Sequence, residues 1–225
     1  MTPTQSIKAM AAVTAIGVFA GVVISSGQVR AWDADSPWLG DARVIQGFKI
    51  APVPLNLARK NKALVGLGSY LVNAVGGCND CHSAGPPAEF IFPTGNPYLL
   101  SPPFGGRTVI NPKFYLGGGR DFGPFPDPSS KVHIVSRNLT PDKTGLPAGG
   151  MTFSEFRTVM KTGVDQDHLH PSLPPPFNGA VLQIMPWPIY QNMTDHDLRA
   201  IYEFLSAIPC IAGPPAPSPL HHDCR

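Results

Sequence analysis

The hydrophobic positions of this sequence predict three amphipathic helices separated by long irregular segments. In residues 60–76, leucines and valines recur at the intervals that place side chains on one face of a helix. Residues 151–161 begin with the Thr-x-x-Glu pattern of a capping box and continue with an apolar face. Residues 194–207 begin with a threonine cap and acidic residues, and a proline follows them. These patterns predict a mainly α-helical fold.

A long segment, residues 83–150, separates the first helix from the second. It is dense in proline and glycine, yet it carries many aromatic and aliphatic side chains, which a disordered linker would not. We therefore expect an ordered, loop-rich insertion with short strands near residues 107–110 and 132–135. A loop this long is uncommon in a compact domain unless it has a function, and covering a flat apolar cofactor would be one.

The N-terminus resembles a targeting segment. Residues 9–25 are apolar and uncharged after Lys8, and residues 29–31 have the small-x-small pattern that precedes signal-peptidase cleavage. We predict an export signal over residues 1–31. The alternative is that the segment is retained as an anchor in the inner membrane, for which it is slightly short. In both cases the rest of the chain is periplasmic.

The charge balance excludes nucleic acid as a partner. The full chain has 17 basic and 15 acidic residues, and it has no run of basic residues that would mark such a surface. Cleavage after residue 31 would remove Lys8 and Arg30, so the mature chain would be formally neutral.

The strongest chemical signal is the sequence Cys78-Asn-Asp-Cys81-His82, the C-x-x-C-H pattern of covalent haem attachment. Two cysteines on one helical turn present their sulfurs to the two vinyl groups of a porphyrin, and His82 then faces the iron. A zinc half-site would need a second ligand pair at metal spacing. A thioredoxin-like pair would need a preceding strand rather than a helix. One motif predicts one haem c.

The second axial ligand determines what such a haem does, and Met185 is the best candidate. It lies in the sequence Met-Pro-Trp-Pro outside the predicted helices, where two prolines stiffen the backbone. The other methionines of this half lie on helix faces or at a cap: Met151, Met160 and Met193. The main rivals are His168 and His170, which would make the haem bis-histidine. Methionine ligation raises the reduction potential and blocks exogenous ligands.

Two further cysteines, Cys210 and Cys224, lie in a proline-rich tail, residues 210–225. An exported compartment permits disulfides, so we predict that they form one, with two free thiols as the alternative. Such a loop closure stabilises a fold by about 3 kcal/mol in the chain-entropy model.

Taken together, the helix before C-x-x-C-H, the late Met-Pro-Trp-Pro and the last helix resemble the class I c-type cytochromes. Residues 138–142 and 193–198 look like those of bacterial exported cytochromes related to the cytochrome subunits of dehydrogenases. Those subunits commonly carry three haem motifs, whereas this chain has one. The resemblance implies a class I cytochrome domain over residues 57–209, containing the 83–150 insertion and preceded by an extension over residues 32–56.

The resemblance also implies a set of contacts. The first and last helices should cross, with Gly66 and Tyr70 against the last helix at Leu198, Tyr202 and Leu205. A carbonyl of Pro86 or Pro87 should orient His82. The haem propionates need hydrogen-bond donors, and four loop residues are candidates for this role: Arg107, Arg137, Asn138 and Trp187.

Three functions follow from these expectations. The first is a periplasmic one-electron carrier with one His/Met haem. The second is a fixed electron-transfer subunit of a periplasmic or membrane dehydrogenase or oxidase. The third is a haem sensor or peroxidase that binds a small ligand at the iron. The sequence shows neither a nucleophile triad nor a second haem motif, so we expect no catalytic activity of the chain itself.

Overall fold

A computed structural model describes residues 41–91, 109–166, 172–216, 218 and 220–224. The predictions made for residues 1–31, Arg107, His168 and His170 lie outside the described residues. The secondary structure of the described ranges is, in chain order, α1 (Ala42–Ile50), α2 (Lys62–Tyr70) with a π-helical turn (Leu71–Val75), α3 (Cys78–Cys81), α4 (Pro86–Glu89), β1 (Asp121–Pro124), β2 (His133–Val135), α5 (Pro147–Gly150), α6 (Phe153–Thr162), α7 (Trp187–Tyr190) and α8 (Asp195–Leu205).

The three predicted helices are present as α2, α6 and α8, and the fold is mainly helical. Their caps explain where they start. The Thr152 hydroxyl accepts from the Glu155 backbone N–H, and the Glu155 carboxylate accepts from the Thr152 N–H, which completes the capping box of α6. At the start of α8, the Thr194 hydroxyl accepts from the Asp197 N–H.

Helix α1 lies in the segment predicted as an N-terminal extension. The Asp41 side chain caps it by accepting from the Arg43 N–H. Its contact with α2 depends on Gly47, because a Cβ there would lie 1.8 Å from the Gly66 carbonyl oxygen. The Ser69 hydroxyl closes this contact by donating to the Gly47 carbonyl at 2.7 Å. The N-terminal extension therefore contributes a packed helix.

The predicted crossing of the first and last helices is present, but it uses a different glycine. Gly66 lies against Val44 and Phe48 of α1, so the expectation that it faces the last helix is wrong. Gly68 makes that crossing instead, since a Cβ there would lie 1.9 Å from the Ala200 carbonyl oxygen in α8. The reason is the helical period, because residues two positions apart lie on different faces of a helix. Helix α2 therefore contacts α1 on one face and α8 on another.

The main core fills the space between α2, α6, α8 and the turn at residues 115–116. Its members are buried apolar side chains, and the largest of these include Tyr115, Leu116, Phe204, Leu198 and Leu205. The Tyr115 hydroxyl donates to the Asn73 side chain at 2.6 Å, so the polar end of this buried ring is satisfied. Tyr115 thus contributes to the core and ties its segment to the π-helical turn that follows α2.

A short antiparallel hairpin organises the middle of the insertion. Its second strand, β2, matches the strand predicted near residues 132–135, whereas β1 was not predicted. Near residues 107–110, the described residues show only an isolated bridge between Phe90 and Ile110. Beyond the hairpin, the Ser136 N–H donates to the Arg120 carbonyl, which holds residues 116–120 against residues 136–139.

The tail is fastened at both ends. Cys210 and Cys224 form a disulfide with Cα atoms 5.6 Å apart. The buried Asn138 side chain donates to the carbonyls of Ile211 at 2.8 Å and Leu220 at 3.3 Å. Over the described ranges, no helix is both long enough and apolar enough to span a bilayer.

Candidate haem-attachment site

The motif cysteines lie on one helical turn, α3, directly after Gly77. Gly77 has a φ of +55°, which lets the chain leave the π-helical turn and start the new one. Cys78 is half-buried, Cys81 is exposed, and neither forms a disulfide. Burial raises the pKa of the Cys78 thiol to about 12 and raises the pKa of Cys81 as well. A reactive redox pair shows the opposite shift, a lowered pKa.

His82 follows this turn, and its ring is oriented by a backbone group. The imidazole Nδ1 lies 2.8 Å from the Arg137 carbonyl oxygen. A carbonyl only accepts, so Nδ1 carries the proton and Nε2 keeps its lone pair. Burial lowers the pKa of His82, with the Arg137 hydrogen bond opposing it. His82 is therefore a neutral imidazole with a defined tautomer, the state in which histidine ligates a metal.

The residue that orients His82 differs from the expectation. The carbonyl belongs to Arg137, in the segment after β2, rather than to Pro86 or Pro87. The approach is possible because Gly118 lies between them: its N–H donates to the His82 carbonyl at 2.9 Å. A Cβ on Gly118, which has a φ of +71°, would lie 2.5 Å from the Arg137 carbonyl carbon.

The rest of the motif is held by the segment at residues 116–120. The Asn79 side chain accepts from the Leu116 N–H at 2.9 Å, and the Arg120 guanidinium donates to the Asp80 carbonyl. These contacts cover the motif turn from the side of the insertion. Residues 116–120 of the loop-rich segment thus contact the motif turn directly.

Two of the candidate propionate donors have protein partners. The Arg137 guanidinium forms an ion pair with the largely buried Asp165, with Nη2 and Oδ2 3.1 Å apart. The Asn138 amide binds the tail, as described above, and its Oδ1 accepts from the Thr140 N–H and hydroxyl. The structure therefore gives both side chains a role within the protein.

The Met185 segment starts from the end of α6. There Gly163, in the left-handed region, ends the helix, and its carbonyl accepts from the Leu182 N–H at 2.8 Å. The Trp187 indole N–H donates to the Leu182 carbonyl at 3.1 Å. Trp187, also a candidate propionate donor, therefore has a partner within its own loop. Met185, half-buried, packs against the main core.

The motif and the Met185 segment meet the same part of the protein. Cys78 and Met185 both pack against the main core from its partly exposed rim. Tyr190, at the end of α7, has its pKa raised by burial and further by the charges of Cys78 and Cys81. Tyr190 therefore lies within electrostatic range of the motif cysteines.

Sequence reasoning missed a buried acid beside the motif. The Glu89 side chain is 3% exposed, and its Oε1 has no hydrogen-bond partner among the described residues. Burial and a hydrogen bond with Asp80 raise the pKa of Glu89 to about 8. No sequence signal marks it, because a glutamate in a proline-rich segment is ordinarily solvated.

The chain is similar to the gluconate 2-dehydrogenase cytochrome c subunit of Pantoea cypripedii, with 28% identity over 147 residues. The alignment covers 64% of this chain and 23% of that protein, so the chain spans about a quarter of the length of this relative. No family model and no solved structure matches the chain. This distant similarity supports a cytochrome c of the dehydrogenase-subunit type, and with it covalently bound haem c.

Proposed function

We propose that this chain carries one covalently attached haem c and transfers electrons outside the cytoplasm as the cytochrome subunit of a dehydrogenase. One observation carries the proposal. Two cysteines free of disulfides lie on a single helical turn that ends at a histidine, and a backbone carbonyl accepts from Nδ1 of that histidine, which leaves the Nε2 lone pair available.

The residues present fit a haem. Cys78 and Cys81 would form the thioether bonds, His82 would ligate the iron through Nε2, and Met185 would supply a thioether as the second axial ligand. The bound group would supply one-electron chemistry by cycling between ferric and ferrous iron. The protein's part is to hold His82 neutral through the Arg137 carbonyl and to cover the motif with residues 116–120.

The comparison favours a subunit over a freely diffusing carrier. The relative is named as a subunit of gluconate 2-dehydrogenase, although this chain matches only 23% of it. A partner dehydrogenase would accordingly deliver electrons to this chain. A diffusing carrier remains the second candidate, because a single haem motif suffices for that role.

Purification of the full-length tagged chain from its native host separates these functions. We expect a dehydrogenase to co-purify and to reduce the haem when its substrate is added. Purification alone, with reduction only by added soluble partners, would establish the diffusing carrier. Carbon monoxide binding to the reduced protein would favour the ligand-binding class, and a protein without covalent haem would contradict the proposal entirely.

A further inference from the structure

Arg137 makes two contacts that point in different directions. Its carbonyl accepts from His82 at 2.8 Å, and its guanidinium pairs with Asp165 at 3.1 Å. The Asp165 side chain is 6% exposed and that of Arg137 28%. Removing one partner of a partly buried ion pair costs more than removing one partner of an exposed pair, because part of its charge lies out of contact with water.

Asp165 is tied to the segment that leads to Met185. Its N–H donates to the Ala180 carbonyl at 3.0 Å, and the neighbouring Val164 forms an antiparallel bridge with Val181. The chain reaches Met185 only a few residues later.

The same short segment also contacts the loop beyond Met185. A Cβ on Gly163 would lie 2.4 Å from the Trp187 ring, so the indole packs directly on this backbone. Residues 163–165 thus hold the chain on both sides of Met185, and Asp165 is the residue of this segment that reaches Arg137.

We propose that the Arg137–Asp165 ion pair is a positioning link between the two axial-ligand segments. It joins the residue that orients His82 to the segment that holds the Met185 loop. The inference rests on the proposed His82/Met185 ligation. A neutral thioether is a weak ligand, so its bond to the iron depends on how firmly the protein holds its loop. Loss of the pair should release Met185 while leaving the haem attached.

The test uses Asp165→Asn in the full-length haem protein, which removes the charge and keeps the side-chain size. We expect unchanged covalent haem staining, a weakened far-red band of the sulfur-ligated ferric haem, and carbon monoxide binding to the reduced protein roughly tenfold tighter than in wild type. Arg137→Gln leaves the backbone carbonyl in place and should give the same change. The double variant should be no worse than either single variant, as expected for residues that act as one unit.

Arg157→Gln is the matched control. It removes an exposed ion pair of similar length, 2.9 Å, that joins α6 to α8 through Asp195. It should leave the far-red band and carbon monoxide exclusion at the wild-type level. Asp165→Glu retains the charge and should therefore fold even if the neutral variants do not. Its far-red band should be weakened less than that of any neutral variant that folds.

Two results would overturn the link. One is a wild-type far-red band in folded Asp165→Asn, or in folded Arg137→Gln if Asp165→Asn does not fold. The other is loss of the band in Asp165→Asn but not in Arg137→Gln. A wild-type protein that carries haem but lacks the far-red band would instead contradict Met185 ligation itself, so the two failures are distinguishable.

Discussion

Around His82 the chain uses hydrogen bonds to backbone groups of residues 116–137, whereas around Met185 it uses the backbone contacts of residues 163–165 with residues 180–182 and the packing of one indole. The His82 ring, the His82 carbonyl and the Asn79 side chain are each bonded to backbone groups of the insertion. On the other side, Ile184 and Ile189 flank the Met185 segment and are exposed, Ile189 by 70%.

This difference predicts two kinds of failure. Changes near the motif should affect whether a haem is attached and whether the domain folds, because Asn79 in the motif turn is buried and accepts from the Leu116 N–H. Changes near Met185 should affect ligation at the iron while the haem stays attached. Segments with few buried contacts are the ones that open locally at low free-energy cost.

The largest effect is expected from the cysteines. Cys78→Ala or Cys81→Ala should weaken covalent attachment, and the double variant should abolish it, because each sulfur supplies one of the two bonds. Haem staining on a denaturing gel measures this directly. A double variant that still stained would show that the haem is held elsewhere and would remove the basis of the comparison.

Met185→Ala should separate ligation from attachment. We expect the haem to remain covalently bound while the reduction potential falls, carbon monoxide gains access to the reduced iron, and the far-red ferric band disappears. Potentiometry and optical spectra report all three changes. His168→Ala and His170→Ala are the controls and should leave them unaltered. If His170→Ala opened the iron and Met185→Ala did not, the haem would be bis-histidine.

The tail tests whether stability and ligation are independent. Replacing Cys210 and Cys224 with serine should lower the free energy of unfolding by about 3 kcal/mol in the chain-entropy model. Chemical denaturation measures the loss, and the far-red band should persist in the folded variant. Thiol labelling of denatured, unreduced wild-type protein should find neither cysteine. Free labelling of both, with unchanged stability, would show that Asn138 and packing alone hold the tail.

The sequence predicts well the features that depend on local pattern. α2, α6 and α8 combine an apolar stripe with an N-cap side chain, and both signals are contained in the segment itself. Helix α1 was missed because only Val44 and Gly47 of its 9 residues are buried, and a glycine contributes no side chain to a hydrophobic pattern. Strand β1, with the sequence Asp-Phe-Gly-Pro, was missed because its pairing depends on β2 rather than on strand propensity.

The candidate site divides in the same way. Cys78, Cys81 and His82 can be recognised in the sequence because covalent haem attachment itself requires the C-x-x-C-H spacing. The partner of His82 is a backbone carbonyl 55 residues away, and every residue has a carbonyl, so no pattern identifies it. Likewise, Arg137 could be recognised as a candidate cation, but its pairing with Asp165 depends on tertiary structure.

The last prediction concerns Glu89, and it tests the burial of the motif side through pH. Folding raises the pKa of this carboxyl from 4.5 to about 8, through burial and its hydrogen bond with Asp80. Below 4.5, the group is protonated in both the folded and the unfolded chain. Between 4.5 and about 8, the unfolded chain releases the proton and the folded chain retains it. The contribution of Glu89 to the free energy of unfolding therefore falls as pH rises through this range.

Glu89→Gln keeps the shape and removes the titration, so the stability of the variant relative to wild type should increase from acid pH to above 8. His82 and His222 have lowered pKa values and act in the opposite direction, but they are present in both proteins and cancel in the difference.

Glu155→Gln is the control. Its exposed carboxylate has a pKa lowered by the Thr152 cap, so that variant should lose relative stability as pH rises. Denaturation of the haem-loaded proteins across the range measures both trends. If the difference in free energy of unfolding between Glu89→Gln and wild type stayed constant with pH, the Glu89 carboxyl would be solvated and ionised. The motif side would then be less buried than we infer.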